Sequence, residues 1–435
     1  VAALLNRLDL RGSADPAADL PRPADGGGDE PIDAVRQIVA EVRARGDDAV
    51  LDLTERFDGV RLATSRVGAD EIAAALDAVP DRVADALVDA ADAVRSYHES
   101  QVAPSHRWAR RGVEVRSRTV PVGRAGCYVP GGRAAYPSTV LMTAIPARVA
   151  GVAEVVLCVP PNRATGTVAL PTLAAAAVAD VDEVWAIGGA QAIAAMAYGT
   201  ESIRPVDVIA GPGNLFVAVA KQEVAGDVGV AAAFAGPSEV VVIADGTAPA
   251  AFAAVDVLVQ AEHGPDGLAW FITWDEAVAD EVSRQIELLV AAAPRRAEIE
   301  ATLARSGWMV LVDGPDAALA VSDAVAPEHL QLMCAGADAL ADRVRNAGAV
   351  FCGPWSPAAV GDYAAGPSHV LPTHGSARFG SALTVADFTK QVHVVTLDHQ
   401  AFEGIAPTVE ALADAEGLGV HGDAVRIRLD RGPAL

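Results

Sequence analysis

The chain is predicted to be an α/β protein built on mostly parallel sheets. Short β-rich runs, each closed by Gly, Pro or Asp, recur along it, and alanine-rich helical stretches separate several of them. The composition is that of a globular protein: 435 residues, 51% hydrophobic and 21% charged, enough for two or three domains with a substantial core. Strand, turn and helix in repetition is the pattern of βαβ units, which places strands side by side and parallel. The expected body is therefore two α/β layers.

The first 30 residues read as a loop-like arm, ending in the linker "RPADGGGDEP". From Pro31 the pattern is helical: Ile32, Val35, Val39 and Val42 share one face, followed by Ala49, Leu53 and Phe57 before the stop at Asp58-Gly59. A second helical region, Asp70 to Gln101, carries Ile72, Leu76, Val79, Val83, Leu87 and Val94. After Gly112 the strand-like runs begin: "EVVLCVP" (154–160), "EVWAIGG" (183–189), "DVIAGPG" (207–213) and "EVVVIAD" (239–245). "AWFITWD" (269–275), "WMVLVD" (308–313) and "AVFCG" (349–353) continue the series. From Thr384 the chain reads as a small appended module, in which "RIRLD" follows a helix. No solenoid-type repeat is present.

Net charge is −24, so nucleic acid and anionic membrane surfaces are repelled and are not expected partners. Lys221 and Lys390 are the only lysines, the other cations being arginines, a bias of composition that carries no mechanism. Cys127, Cys158, Cys334 and Cys352 show no zinc-finger or C-x-x-C spacing and read as free thiols of a reducing compartment. No secretory signal opens the chain, and no apolar run reaches the ~20 residues needed to span a bilayer. The expectation is a soluble, cytoplasmic protein.

Two Glu-His dipeptides stand out. "VQAEHGP" offers Gln260 and His263, three apart and on one face if the helix persists, with Glu262 turned elsewhere. An amide oxygen and an imidazole both ligate divalent ions, yet two ligands make an incomplete site. A helix-terminal His bonded to backbone before Gly264-Pro265 is the simpler explanation of this segment taken alone. In "VAPEHLQL", Pro327 suits the first turn of a helix starting near Glu328. There His329 could serve as a general base and Glu328 could activate water, or the two could be a capping Glu and an exposed His.

"GDYAAGPSHVLPT" (361–373) supplies Asp362 and His369, and "AEGLGVHGDA" (415–424) supplies Glu416 and His421. Gln260, His263, Asp362 and His421 together would form an N/O set suited to Zn2+ or Mn2+, although spacing alone does not bring them together. Glycine-rich loops such as "CYVPGGRAAYPS", "GGAQAIAAMAYGT", "GPGN" and "AGPSE" would let backbone approach a ligand, but no complete G-x-G-x-x-G occurs.

Taken in order, "GCYVPGGRAAYPSTVLMTAIPARVAGV", "GGAQAIAAMAYGT", "AGPGNLFVAVAK", "AGPSEVVVIAD", "QAEHGPD", "APEHLQL", "GDYAAGPSHVLPT" and "EGLGVHGDAVRIR" resemble the histidinol dehydrogenase family. The blocks run from about residue 120 to the end, and "ERFDGV" in the helical N-terminal part is compatible. The resemblance implies a zinc enzyme that oxidises L-histidinol to L-histidine through histidinal, reducing two NAD+. It implies zinc ligands Gln260, His263, Asp362 and His421, one ion per subunit, and the acid/base pair Glu328 and His329. Tyr128, Gln191 and Asn214 match NAD-contacting positions. Ser238, Gln260, His263, His329, Asp362, Glu416 and His421 match substrate-contacting ones. By this resemblance His263 is a ligand, Glu262 a bystander, and both members of the second pair work.

The implied fold is two incomplete Rossmann-like domains with small N- and C-terminal segments, in an intertwined homodimer whose Glu416 and His421 complete the partner's site. The corresponding boundaries are an arm (1–30), a first domain in two parts (31–127 and 240–383), an NAD-contacting domain (128–239) and a C-terminal segment (384–435). Two positions depart from the family: Ala232 where Asp is usual, and Ser368 where Asn is frequent. The rival substrate is a sulfonated diol, which the Glu416 carboxylate would repel. A zinc hydrolase would leave Tyr128, Gln191 and Asn214 idle. A silent metal-binding or structural protein would leave both acid/base residues without a task.

Overall fold

Parallel pairing dominates because short apolar strands alternate with helices that carry the chain back to the same sheet edge. The computed structural model describes residues 4–21, 31–131, 134–231, 238–262, 264 and 267–431. Its strands are β1 (Asn6–Asp9), β2 (His106–Arg110), β3 (Val113–Pro121), β4 (Arg124–Tyr128), β5 (Glu154–Val159), β6 (Glu183–Ala186) and β7 (Val208–Ala210). They continue with β8 (Gly229–Val230), β9 (Glu239–Ala244), β10 (Leu268–Thr273), β11 (Gly307–Leu311), β12 (His329–Met333), β13 (Ala349–Cys352) and β14 (Thr389–Leu397).

The chain divides into two units. The first, Val1–Gln101 with Val122–Phe388, holds two parallel sheets. One has five strands in the order β6-β5-β4-β7-β8, the other six in the order β1-β11-β10-β9-β12-β13. Alternate residues of each strand enter different cores. In β5, Val155, Leu157 and Val159 pack with the helices Ala69–Ala78, Asp81–Glu99 and Pro137–Val149. Val156 and Cys158 pack with Ile32–Arg45, Gly189–Tyr198 and Leu215–Val224. The six-stranded sheet behaves alike, Val240 and Val242 of β9 facing one core and Val241 and Ile243 the other. Burial on both faces is why these strands read as unbroken apolar runs rather than as alternation.

Several local readings change. The arm contains a strand, β1, which pairs with β11 along Asn6–Asp9. The helix expected to start near Glu328 is strand β12 instead. Ala326 closes the preceding helix, Pro315–Val325, in the left-handed region at φ 52°. The five residues of β12, His329–Met333, are all buried between β9 and β13. "HLQLM" gains more as the interior strand of a covered sheet than any helix could offer it. All four cysteines are free, Cys127, Cys158 and Cys334 being buried.

The second unit, Val102–Pro121 with Thr389–Leu435, is an antiparallel ribbon, β14-β3-β2, with helices His399–Ala415 and Gly419–Arg431, the latter containing "RIRLD". Arg111 and Gly112 turn β2 into β3 with φ of 51° and 79°, the paired positive values of a tight hairpin. A Cβ at Gly112 would lie 2.5 Å from that of Ala401, so the turn also requires glycine for space.

Candidate active site

The Glu328-His329 pair sits at the amino end of β12, between β9 and β13. Both side chains are buried, as is Gln260 in the last turn of the helix Ala250–Ala261. Asp362, on the short helix Ala358–Tyr363, bridges them: its Oδ1 lies 3.3 Å from His329 Nε2, and its Oδ2 accepts from Gln260 Nε2 at 3.3 Å. Three of the singled-out residues therefore meet at one carboxylate.

His329 has its other nitrogen occupied. Nδ1 lies 3.1 Å from the main-chain oxygen of Glu239, and the ring stacks on Phe351 at 6.0 Å between centroids. A proton on Nδ1 donated to that carbonyl fixes the ring so that Nε2 is the nitrogen turned to Asp362. Burial opposes charging the ring, but the carboxylates of Glu328 and Asp362 outweigh it and push its pKa up to about 10. Glu328 Oε2 accepts the Glu239 N–H at 3.0 Å.

Glu239 carries no signal in the sequence beyond opening the run "EVVVIAD". Glu154 and Glu183 also open strands, and both pair with the buried Arg124 instead. Ser238 precedes β9 and is half-buried, its carbonyl accepting from Leu268 N at 3.0 Å. His369 lies in the loop that follows the helix of Asp362: Nδ1 is 2.9 Å from the Asp362 carbonyl and Nε2 is 3.0 Å from Thr139 Oγ1. Ser368 is buried and donates to the Met142 carbonyl at 2.9 Å, so this departure costs the loop no bond to its own side chain. His263 and Ala232 fall outside the described residues. Glu416 and His421 belong to the second unit, where both are exposed.

Tyr128, Gln191 and Asn214 gather at the five-stranded sheet. From β4 the chain proceeds outward to β5 and β6, then returns to β7 on the other side of β4. Ligands of open α/β sheets lie beyond the carboxyl ends of strands at such a reversal. Tyr128 ends β4, and Gly211–Asn214 follows β7. A Cβ on Gly211, at φ +111°, would lie 2.1 Å from the Tyr128 carbonyl oxygen, so the loop rests directly on β4. The buried Lys221 donates from Nζ to the Gly211 carbonyl beneath it.

The Tyr128 hydroxyl accepts from Gly189 N at 3.0 Å, and Asn214 caps the helix Leu215–Val224 by accepting from Val217 N at 3.1 Å. Gln191 is 1% exposed, yet neither polar atom of its amide has a hydrogen-bond partner among the described residues. Buried amides are rarely left so, and this one points to a polar group from outside the fold.

Among the described residues no cluster of three His, Cys, Asp or Glu side chains is arranged to hold a metal ion. Gln260 and Asp362 supply two donors of the predicted set, and a further ligand is required. Among the described residues, no helix is long and apolar enough to cross a membrane.

The family description "Histidinol dehydrogenase" matches residues 25–429. The chain is 44% identical over 434 residues to histidinol dehydrogenase of Streptomyces avermitilis, covering 98% of each chain. It is 48% identical over 393 residues to that of Parasynechococcus marenigrum, covering 90% of each. The crystal structure of histidinol dehydrogenase from Elizabethkingia anophelis superposes with a TM-score of 0.94 at 33% identity, over 99% of both chains. The chain is therefore an oxidoreductase and belongs to the histidinol dehydrogenase family.

Proposed function

We infer that the protein oxidises L-histidinol to L-histidine through histidinal, with two NAD+ reduced and one zinc ion per subunit. The observation that carries this reading is the convergence of His329, Gln260 and Asp362, with Glu328 beside them. Gln260 and Asp362 would hold the ion with His263 and with His421 of the partner subunit, a mixed N/O set of the kind zinc accepts. Zinc, when bound, supplies a template that orients the imidazole and amine of the substrate. NAD+ supplies the hydride acceptor. The orphaned amide of Gln191 and the glycine-lined end of the five-stranded sheet support its placement against Tyr128, Gln191 and Asn214.

The chain's own groups then divide the work. His329 Nε2 takes the alcohol proton as the first hydride leaves. Glu328 takes a proton from the water that adds to histidinal, and His329 acts as base again for the second oxidation. Burial of both groups retains the aldehyde and excludes bulk water. Ser238 and Glu416 would contact the substrate alongside the metal ligands.

The homodimer, with Glu416 and His421 of the partner subunit completing each site, rests on the family resemblance; both residues are exposed in the second unit, as such a role requires. The division proposed from the resemblance is arm 1–30, first domain 31–127 and 240–383, NAD-contacting domain 128–239, and C-terminal segment 384–435, although the helices between residues 32 and 99 pack on the five-stranded sheet, which includes β4. The cytoplasm, where histidinol and NAD+ are both present, is the proposed location.

The test is NADH formed per L-histidinol consumed, with and without a chelator and after zinc is restored. Two NADH, lost on chelation and regained with zinc, is the expected result. No NADH from zinc-loaded protein would overturn the substrate assignment.

A further inference from the structure

Glu239 reaches the acid/base pair through three of its atoms and the following loop through a fourth. Its N–H donates to Glu328 Oε2 at 3.0 Å, and its own Oε2 accepts from the Glu328 N–H at 3.3 Å. Its main-chain oxygen lies 3.1 Å from His329 Nδ1. Its remaining carboxylate oxygen, Oε1, accepts from His374 N at 3.1 Å. Two glutamates at the amino ends of neighbouring strands thus exchange side-chain for main-chain hydrogen bonds.

The position explains why the exchange is needed. In the β9–β12 ladder Val240 is opposite His329, so Glu239 and Glu328 are the first residues beyond the paired register. Strand ends lose their ladder bonds and fray, and a buried N–H left there costs free energy unless another acceptor replaces the missing strand. An apolar residue would satisfy the strand pattern at 239. A carboxylate instead accepts from two main-chain N–H groups, one on the strand carrying the acid/base pair and one in the loop that follows Asp362 and His369. With burial first and Glu328 second, this carboxyl is pushed up to about 8, so the arrangement is held at an electrostatic cost that packing alone does not call for.

We propose that Glu239 is a positioning residue for the acid/base pair: it holds the end of β12 so that His329 presents Nε2 and Glu328 presents its carboxylate. The proposal rests on the reading of Glu328 and His329 given above. A glutamine at 239 keeps one oxygen but turns an NH2 toward the other N–H donor, so one of the two anchors is lost while size is kept. None of the four contacts is to a proposed metal ligand or to the five-stranded sheet, so the loss is expected at the base.

The experiment compares wild type, Glu239→Gln and His329→Gln as zinc-loaded full-length protein. Steady-state kinetics are measured with L-histidinol and with histidinal, together with zinc content and thermal unfolding. Glu239→Gln is expected to lower kcat at least tenfold for both substrates, with KM for histidinol and NAD+ within about threefold of wild type and zinc content unchanged. Should Glu239→Gln fail to fold, Glu239→Asp carries the test, since it keeps the carboxyl group but is one carbon too short to bridge both N–H groups; the same split is expected. A kcat within twofold of wild type would overturn the proposal, as would a parallel fall in kcat, affinities and zinc content. Inactive wild type would sink the reading of the site itself. Active wild type with inactive His329→Gln and an unimpaired Glu239→Gln would remove only the role given to Glu239.

Discussion

Replacing Gln191 by leucine should make the ligand-free protein more stable and its hold on NAD+ weaker. Gln191 is 1% exposed, with both amide atoms unpartnered among the described residues. A buried amide without hydrogen bonds costs about 1–3 kcal/mol on the mutational scale, and a volume-conserving swap costs less than ~1.5 kcal/mol. The net expectation is a gain of about 1 kcal/mol. Space for the amide is reserved by the chain itself: Gly189 has φ +66°, and a Cβ there would lie 2.7 Å from Gln191 Oε1. If the amide exists to bind NAD+, losing one or two hydrogen bonds of ~0.5–1.5 kcal/mol each raises Kd several-fold to about a hundredfold.

The two effects separate cleanly in denaturant unfolding with and without NAD+. At a concentration of 100 times the wild-type Kd, NAD+ stabilises wild type by about 2.7 kcal/mol. A tenfold weaker variant gains only about 1.4 kcal/mol, so its advantage disappears on loading. A ligand-free Gln191→Leu less stable than wild type by more than ~1 kcal/mol, with Kd for NAD+ unchanged, would refute the argument and make the amide structural.

Two further predictions follow from buried groups. Glu328→Gln should spare the first oxidation more than the second, so NADH per histidinol falls from two toward one and histidinal accumulates; an unchanged ratio in a stoichiometric assay would remove Glu328 from the hydration step. Burial lowers the Lys221 pKa from 10.5 to about 8, so between those values the unfolded chain binds more protons and stability rises with pH. The stability difference between wild type and Lys221→Met should therefore move toward wild type by up to about 3 kcal/mol across that window, and a pH-independent difference in urea unfolding would contradict it.

What could be read from sequence depended on whether a signal was local. Runs such as "EVVLCV" and "EVVVIA" announce covered parallel strands because both faces are apolar. "HRWAR" and "NRLD" do not, since every residue of the first is exposed and the second gains its strand only by pairing with β11. "PEHLQL" begins as a helix would, and only its place between β9 and β13 makes it a strand. Glu328, His329, Gln260 and Asp362 were identifiable as chemistry-bearing residues because each stands in a distinctive phrase. Glu239 was not, because Glu154 and Glu183 open strands in the same way and differ only in facing Arg124.

The two halves of the candidate site are built on opposite kinds of strand end. Tyr128 and the Gly211–Asn214 loop lie at carboxyl ends, the usual place for a nucleotide. Glu239, Glu328 and His329 lie at amino ends of the other sheet. Strand ends alone cannot set the distance between a base and a hydride acceptor across two sheets, and an error of ~1 Å in such a distance costs about a hundredfold in rate. The link is His369. One ring nitrogen meets the Asp362 carbonyl, and the other meets Thr139 on the helix that follows β4. Ser368 adds a bond to the Met142 carbonyl one turn further along that helix. Burial holds the His369 pKa below its usual value, which favours the neutral ring; with one nitrogen donating to the Asp362 carbonyl, the other can accept from the Thr139 hydroxyl. A loop tied in this way to the helix after β4 makes the position of Asp362, and with it that of His329 Nε2, a property of both sheets at once.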